Sequence, residues 1–497
     1  MIQRANRRLA GILVGALAGC AAGPDFKPPP APEGPGFVPA GQLPEHTASA
    51  PMPGGDAQHF VDGLDIPGQW WTLFQSPELN QLIQLAMRSN PNLQAAQASL
   101  RQANENLAAQ RGALYPSVAA NYQAERARAS AAQFGLPQVG SGYLYTLNSA
   151  SVNVSYTLDA FGGVRREIEL MQAQAEYARF ALEASYLTLT ANVVTAAIAE
   201  ASLRAQIAAT EDISRAQQKQ LDITQLRVVA GAASRADVLQ QQATLQATLA
   251  TLPPLRTALA QQRNLLSTYV GSLPADYAGA EFHLDSLSLP IDLPVSLPSK
   301  FVEQRPDVRE YSALLHQATA QIGIATANML PQLTLSGNYG GAAVKFADMF
   351  SPGSIVWSLA ASVTQPLFKG GQLVHERRAA VAAAQEAAAN YKATVLVAFQ
   401  NVSDTLYALH GDAAALAAQA SAERSAAGSL ELVQAQYRAG GASFLQVLAA
   451  EQTYQSAAVA LVKARAQRYA DTAALFQALG GGWWNRADMA ANSTASP

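Results

Sequence analysis

The sequence predicts a duplicated fold: a module of two β-strands and a long helical hairpin occurs twice, giving each chain four strands, which suit a membrane β-barrel or a soluble sheet, and long helices that need partners along their length. Three observations predict it. GAASRADVL at 231–239 returns as GGASFLQVL at 440–448, with Gly231, Ser234, Val238 and Leu239 answered by Gly440, Ser443, Val447 and Leu448. A repeat of such length is a whole module, not a solenoid unit. No proline occurs between Pro137 and Pro253, nor between Pro366 and Pro497, which leaves room for two very long helices. Ahead of each proline-free run, apolar and polar residues alternate with period two.

Composition agrees with long, closely packed helices. Hydrophobic residues make up 49% of the 497 but aromatics only 7%, and the apolar fraction is mostly Ala and Leu. A net charge of −3 with 14% charged residues gives no concentrated basic face for nucleic acid. His46, His59, His283, His316, His375 and His410 lack metal-ligand spacing, and the single cysteine excludes intrachain disulfides and cysteine-based zinc sites. No cofactor is implied.

Residues 1–19 read as a signal peptide. Arg4, Arg7 and Arg8 precede an apolar run from Leu9 to Ala18 that is too short to span a bilayer and ends in small residues. Leu17-Ala18-Gly19-Cys20 resembles a bacterial lipobox, whose cysteine becomes the acylated first residue; the alternative is an ordinary signal peptide with an incidental Cys20. One acyl chain holds weakly and several hold durably. Ala21 after the cysteine, where an Asp signals inner-membrane retention in lipoproteins, implies sorting to the outer membrane. Residues 20–60, rich in Pro and Gly, form an extended, lipidated tether.

The first repeat, 61–271, opens with helix. In 90–116, Leu93, Ala96, Leu100, Ala103, Leu107 and Leu114 keep a 3-4 spacing, a coiled-coil stripe. Pro91 suits a first helical turn, and Pro116 marks where helix gives way. Strands follow at about 115–128 and 144–159. In the first, Val118, Ala120, Tyr122 and Ala124 face one way and Ser117, Asn121, Gln123 and Glu125 the other; in the second, Val152, Val154, Tyr156 and Leu158 oppose Ser151, Asn153, Ser155 and Thr157. Asn148 falls on the apolar row unless the strand starts later. On periodicity alone these strands suit a membrane barrel and a soluble hairpin with one buried face equally well.

A helix from Gly163 to Ala230 would extend about 100 Å and needs partners along its length. Gly231 then stops it in the left-handed conformation, Ser234 caps the returning helix, and Asp237 stands three residues on, as in a capping box. The linker 272–304 is too proline-rich for long helix and packs with the chain ends. The second repeat, 305–482, repeats the plan. Its stripe is Val308, Tyr311, Leu315, Ala318, Ile322 and Met329 between Pro306 and Pro331, and its strands lie at about 332–346 and 354–368. Its hairpin is Gly440, Ser443 and Gln446. Residues 483–497 form a tail.

In hydrocarbon each unpaired backbone group costs several kcal/mol, so a sheet must close. Four strands cannot close a barrel, whose known minimum is about eight. If the strands are in a membrane, several copies must share one barrel, with polar faces lining a wet pore that the helices continue on one side.

GPDFKPP at 23–29, WWTLFQSPELNQLI at 70–83, SYTLDAFGGVRRE at 155–167, RPDVREYSALLHQATAQIGIATANMLPQLTL at 305–335, QPLFKGGQL at 365–373 and YRAGGASFLQVLAAEQ at 437–452 resemble the TolC-like outer-membrane efflux channel family, in its lipoprotein branch of multidrug and NodT-type channels. The resemblance implies a homotrimer with a shared twelve-stranded barrel in outer-membrane lipid, a helical tunnel in the periplasm, a periplasmic adaptor (membrane fusion) protein and an inner-membrane RND-type pump. It also implies that the hairpins, with Gly231, Ser234, Gly440 and Ser443 at their tips, meet the adaptor and close the pore. Leu445 matches a position where relatives narrow the pore with an apolar ring. Gln446 and Ala449 match positions where relatives often carry aspartates, and this chain lacks both acids; Asp237 keeps an acid at the equivalent phase, where capping is the alternative role.

No catalytic constellation is present. GGVRRE and KGGQL lack the Gly-Lys-Ser/Thr ending of a phosphate loop, and Asp159 reads as a turn residue. The expected function is a passive efflux duct for drugs and other toxic small molecules, not an enzyme. The alternatives are an exit duct for secreted polypeptides, which the lipobox disfavours, and a lipid-anchored periplasmic coiled-coil scaffold, which leaves four alternating strands unexplained.

Overall fold

The computed structural model describes residues 21–32, 36–39, 41–129, 143–296 and 298–486. The signal peptide, Cys20 and the tail beyond 486 lie outside the described residues. In chain order the elements are β1 (His59–Asp62), a 3₁₀ turn (Trp70–Phe74), α1 (Pro77–Ser89), α2 (Pro91–Arg111), β2 (Ser117–Ala129), β3 (Tyr143–Leu158), α3 (Gly163–Val229), α4 (Arg235–Leu249), α5 (Leu252–Tyr269), β4 (Asp292–Val295), α6 (Pro298–Gln304), α7 (Pro306–Ala327), β5 (Gln332–Ala343), β6 (Ile355–Thr364), α8 (Gln372–Arg438) and α9 (Phe444–Ala478). They belong to two compact units: Met1–Pro29, Leu100–Ala178 and Tyr311–Tyr391 in the first, Pro30–Ser99, Arg179–Glu310 and Lys392–Pro497 in the second. Each unit draws on both sequence repeats.

In the first unit the reason is the sheet, an antiparallel array in the order β2-β3-β5-β6, so that the β3–β5 ladder joins the repeats. Its register puts Ala120, Val152, Tyr339 and Trp357 in one row, with Val118, Val154, Gly337 and Leu359 in the next row of the same face. The other face carries the row Ala119, Asn153, Asn338 and Ser358, and the row Ser117, Ser155, Ser336 and Ala360. The sheet thus has an apolar face and a polar one. β3 starts at Tyr143, so Asn148 does lie on the apolar row. It is nevertheless satisfied: its amide donates to the Val344 carbonyl at 3.0 Å and its Oδ1 accepts from the Tyr122 hydroxyl at 3.1 Å.

The 3-4 stripes pack as helix-on-helix contacts within this unit. Leu100, Ala103 and Leu107 meet Ala175 and Ala178 of α3, and Ile322 and Ala325 meet Ala380, Val381 and Ala384 of α8. Asp159 is a turn residue whose carboxylate accepts from the amides of Val164 and Arg165, both at 3.0 Å, where the chain enters α3. Residues 21–26 are extended but not a loose tether. Buried Arg166 donates to the Ala22 carbonyl at 3.0 Å and to Asp25 at 2.7 Å, and Phe26 stacks on His316 at 4.3 Å.

In the second unit, Trp70 stacks on Phe476 at 5.3 Å, and the 3₁₀ turn that holds Trp70 buries Trp71 and Phe74 as well. Ser76 then caps α1 by accepting from the Leu79 amide, with Pro77 at its first position. The linker between the repeats has definite partners: β4 lies parallel to β1, Arg465 donates to Asp285 at 2.7 Å, and the Tyr469 hydroxyl donates to the Leu287 carbonyl at 3.0 Å. The segment before β1 is pinned too, through Phe37 edge-on to Phe301 and through Thr47 on buried Arg468.

α3 and α8 have 67 residues each, but the returning arms differ. α9 runs unbroken for 35 residues, whereas the arm of the first repeat is interrupted between α4 and α5. Pro253 and Pro254 lack the N–H groups that would bond the carbonyls of Leu249 and Ala250, so the ladder of axial hydrogen bonds is interrupted there.

Candidate functional site

The helix-hairpin tips bring together most of the residues singled out in the sequence, all within the second unit. At the first tip, the Gly231 amide donates to the Val228 carbonyl at 3.0 Å and the Ala232 amide to that of Arg227 at 2.7 Å, the pair of bonds that ends a helix in a Schellman motif. Gly231 has φ +74°, a conformation that costs a side-chain-bearing residue energy. The Ser234 hydroxyl then accepts from the Asp237 amide at 3.2 Å, while the Asp237 carboxylate accepts from the Ser234 amide at 2.8 Å. The second tip repeats this geometry. Gly440 has φ +82°, Gly441 donates to Gln436, and Ser443 and Gln446 complete a reciprocal box in which the Ser443 amide donates to Gln446 Oε1 at 2.7 Å.

Two of the four proposed gate side chains, Asp237 and Gln446, are therefore engaged as helix caps. Leu445 is 65% exposed and Ala449 is exposed, so both lie open on α9. Beneath them Phe444 and Val447 pack with Tyr437 of α8, and the Arg227 guanidinium of α3 lies 4.3 Å over the Tyr437 ring, joining one hairpin to the other.

Sequence reasoning missed a buried polar node above the tips. Gln241 of α4 donates to the Gln217 carbonyl of α3 at 3.4 Å and to the Glu451 carboxylate of α9 at 3.3 Å. Burial pushes the Glu451 carboxyl up from its ordinary range, against the hydrogen bonds from Gln241 and Gln434. The available signal was positional: Phe444, Val447 and Glu451 keep a 3-4 spacing, so a carboxylate occupies a core position.

Farther along α9, burial and the facing Asp412 carboxyl of α8 push Asp471 up to about 8, against a hydrogen bond from Gln467. An unfolded Asp titrates near 3.9, so the folded chain holds a proton that the unfolded chain has released. This group's contribution to stability is therefore full below about pH 4 and is lost as pH rises toward 8. Asp471→Asn, which mimics the protonated acid, is expected to raise the unfolding temperature of the detergent-solubilised protein by several degrees at pH 8.5, with the advantage shrinking toward pH 5. A variant that is less stable at pH 8.5 would contradict this assignment.

The chain compares as follows with known proteins. The family described as outer membrane efflux protein matches residues 82–272 and 297–481, one segment in each half of the duplication. The chain is 30% identical over 485 residues to the probable efflux pump outer membrane protein TtgC of Pseudomonas putida, covering 97% of this chain and 96% of that protein. It is 28% identical over 497 residues to nodulation protein T of Rhizobium leguminosarum bv. viciae, covering 99% and 95%. The solved structure of the outer-membrane channel OprN aligns with a TM-score of 0.83 at 25% identity, covering 93% of this chain and all of that one.

Proposed function

Since the chain belongs to the outer membrane efflux protein family, we propose that three copies close a single barrel of twelve strands, four from each. It is an outer-membrane efflux channel with the TolC-like fold, a β-barrel together with an α-helical barrel. In this reading it conducts small molecules, drugs and toxic compounds among them, without supplying energy. An inner-membrane RND-type pump drives the flow, and a periplasmic adaptor docks at the tips around Gly231, Ser234, Gly440 and Ser443. Cys20 is acylated and holds the chain to outer-membrane lipid.

One observation supports this above others: β2 and β6 are the edges of a sheet with an apolar face and a polar face. Thirteen residues of β2 and ten of β6 carry a backbone edge that hydrocarbon would penalise, and a neighbouring copy removes that penalty by pairing β6 with β2. The polar rows then face a water-filled interior.

The experiment is planar-bilayer recording from purified, acylated protein alongside chemical cross-linking. A cross-linked trimer with discrete conductance is expected; monomeric, non-conducting material overturns the reading. Leu445→Ala is expected to raise closed-state conductance severalfold without disturbing the cap. Gln446→Ala also removes a capping bond worth about 1 kcal/mol, so an effect of that variant alone would assign the residue to structure and not to the gate. Unchanged closure in both variants removes the tips as the gate.

A further inference from the structure

We infer that the cleft between the β5–β6 connection and the apolar face of the sheet binds an acyl chain of an anionic outer-leaflet lipid; the inference rests on the channel reading, which turns this face toward lipid. The connection, residues 344–354, does not project from the strand ends. It folds back over the sheet, burying Met349 to 1% exposure and setting Phe346 edge-on to Tyr122 at 5.9 Å. Gly341 makes the approach possible, since a Cβ there would lie 2.0 Å from the Met349 carbonyl oxygen. The Asn148 amide pins the start of the connection through the Val344 carbonyl at 3.0 Å.

Between this flap and the sheet lies a cleft of about 540 Å³, lined chiefly by Ala120, Tyr122, Val152, Tyr339, Phe350 and Ile355. That volume falls within the roughly 300–1,000 Å³ of small-ligand sites. Its floor is the apolar face, continuous in register with Val118, Val154 and Leu359, all exposed. In a closed barrel this band meets hydrocarbon, so the molecules with access to the cleft are lipid tails.

The head group follows from charge. The strand ends that carry the β5–β6 connection point away from the helices, toward the exterior leaflet. There Arg126 and Arg128 prolong the apolar face of β2 beyond Ala124, and Lys345 is the second residue of the connection, whose one acid is Asp348. Cations above an apolar cleft match a phosphorylated lipid whose tail lies below.

Native mass spectrometry of the full-length, detergent-purified trimer, titrated with lipid A and separately with phosphatidylcholine, tests this. Wild-type protein is expected to retain lipid A in preference to phosphatidylcholine. Ala120→Trp, which fills the cleft from an exposed strand position, is expected to weaken lipid A retention ~tenfold, the effect of roughly two lost methylene contacts. Arg126→Glu combined with Lys345→Glu should erase the preference for lipid A while sparing phosphatidylcholine. If Ala120→Trp fails to assemble, Phe350→Ser, outside the strands, should lower retention of both lipids. Equal retention by wild type and the assembled cleft variant overturns the site, as does a wild-type trimer that retains neither lipid. Conductance of the same sample separates the two readings: a conducting trimer without lipid sinks the site alone, and a non-conducting monomer sinks the channel.

Discussion

Replacing Ala360 and Ala361 of β6 together with proline is expected to abolish the trimer, its conductance and all efflux that depends on it. These residues face Ser336 and Leu335 across the β5–β6 ladder, and among the described residues β6 has no partner on its other side. Successive N–H groups of a strand point to opposite sides, so the two prolines remove one donor toward β5 and one toward the open edge. In hydrocarbon each stranded carbonyl costs several kcal/mol, with no water to take the place of the lost donor. Cells carrying the variant should be as drug-sensitive as cells lacking the gene, and the protein should run as a monomer on gels whether or not it is heated. Ala361→Val, on the apolar face, should leave both properties intact. A stable, conducting trimer with both prolines would show that β6 is not an inter-copy seam.

The second large effect is expected at Arg468, whose side chain is fully buried in the second unit. It donates to the Thr47 hydroxyl at 3.1 Å, to Gln58 Oε1 at 3.4 Å and to the Asp56 carbonyl, while Gln58 in turn donates to the Pro290 carbonyl at 2.8 Å and the Thr472 hydroxyl at 3.1 Å. One guanidinium therefore ties the segment before β1 to the linker and α9. Arg468→Ala strands several buried acceptors at once, which by analogy with broken buried charge networks costs about 3–5 kcal/mol. The measurement is thermal unfolding together with limited proteolysis: the unfolding temperature should fall and residues 46–58 should become cleavable. Arg468→Met, which restores volume but no donors, should recover only part of the loss. An unshifted unfolding temperature in Arg468→Ala would remove the network from any structural role.

What could be read from the sequence was what is encoded locally. The hairpin tips follow from Gly231, Ser234 and Asp237, and from Gly440, Ser443 and Gln446, because a capping box is complete within four residues. The long helices follow from the absence of proline, and the sheet faces from alternation at period two. What could not be read depends on distant partners. The β3–β5 ladder joins segments almost two hundred residues apart, and no pattern within either strand names the other. Residues 21–26 read as a tether because Pro and Gly dominate their neighbourhood, yet Arg166, remote in sequence, holds them. The Asp412–Asp471 pair and the Gln241–Glu451 contact likewise exist only once α8 and α9, or α4 and α9, lie side by side. Asn148 is the instructive intermediate: the alternation exposed it as a misfit, and the covering flap explains it.

The interruption between α4 and α5 makes the two hairpins mechanically unlike. One returns through an uninterrupted rod; the other returns through a rod with a joint near Ala250. Bending stiffness at such a joint is low, because the axial hydrogen bonds that resist flexure are missing there. In the proposed assembly of three copies, stiff and compliant staves would therefore alternate around the axis, so the six hairpins are not mechanically equivalent.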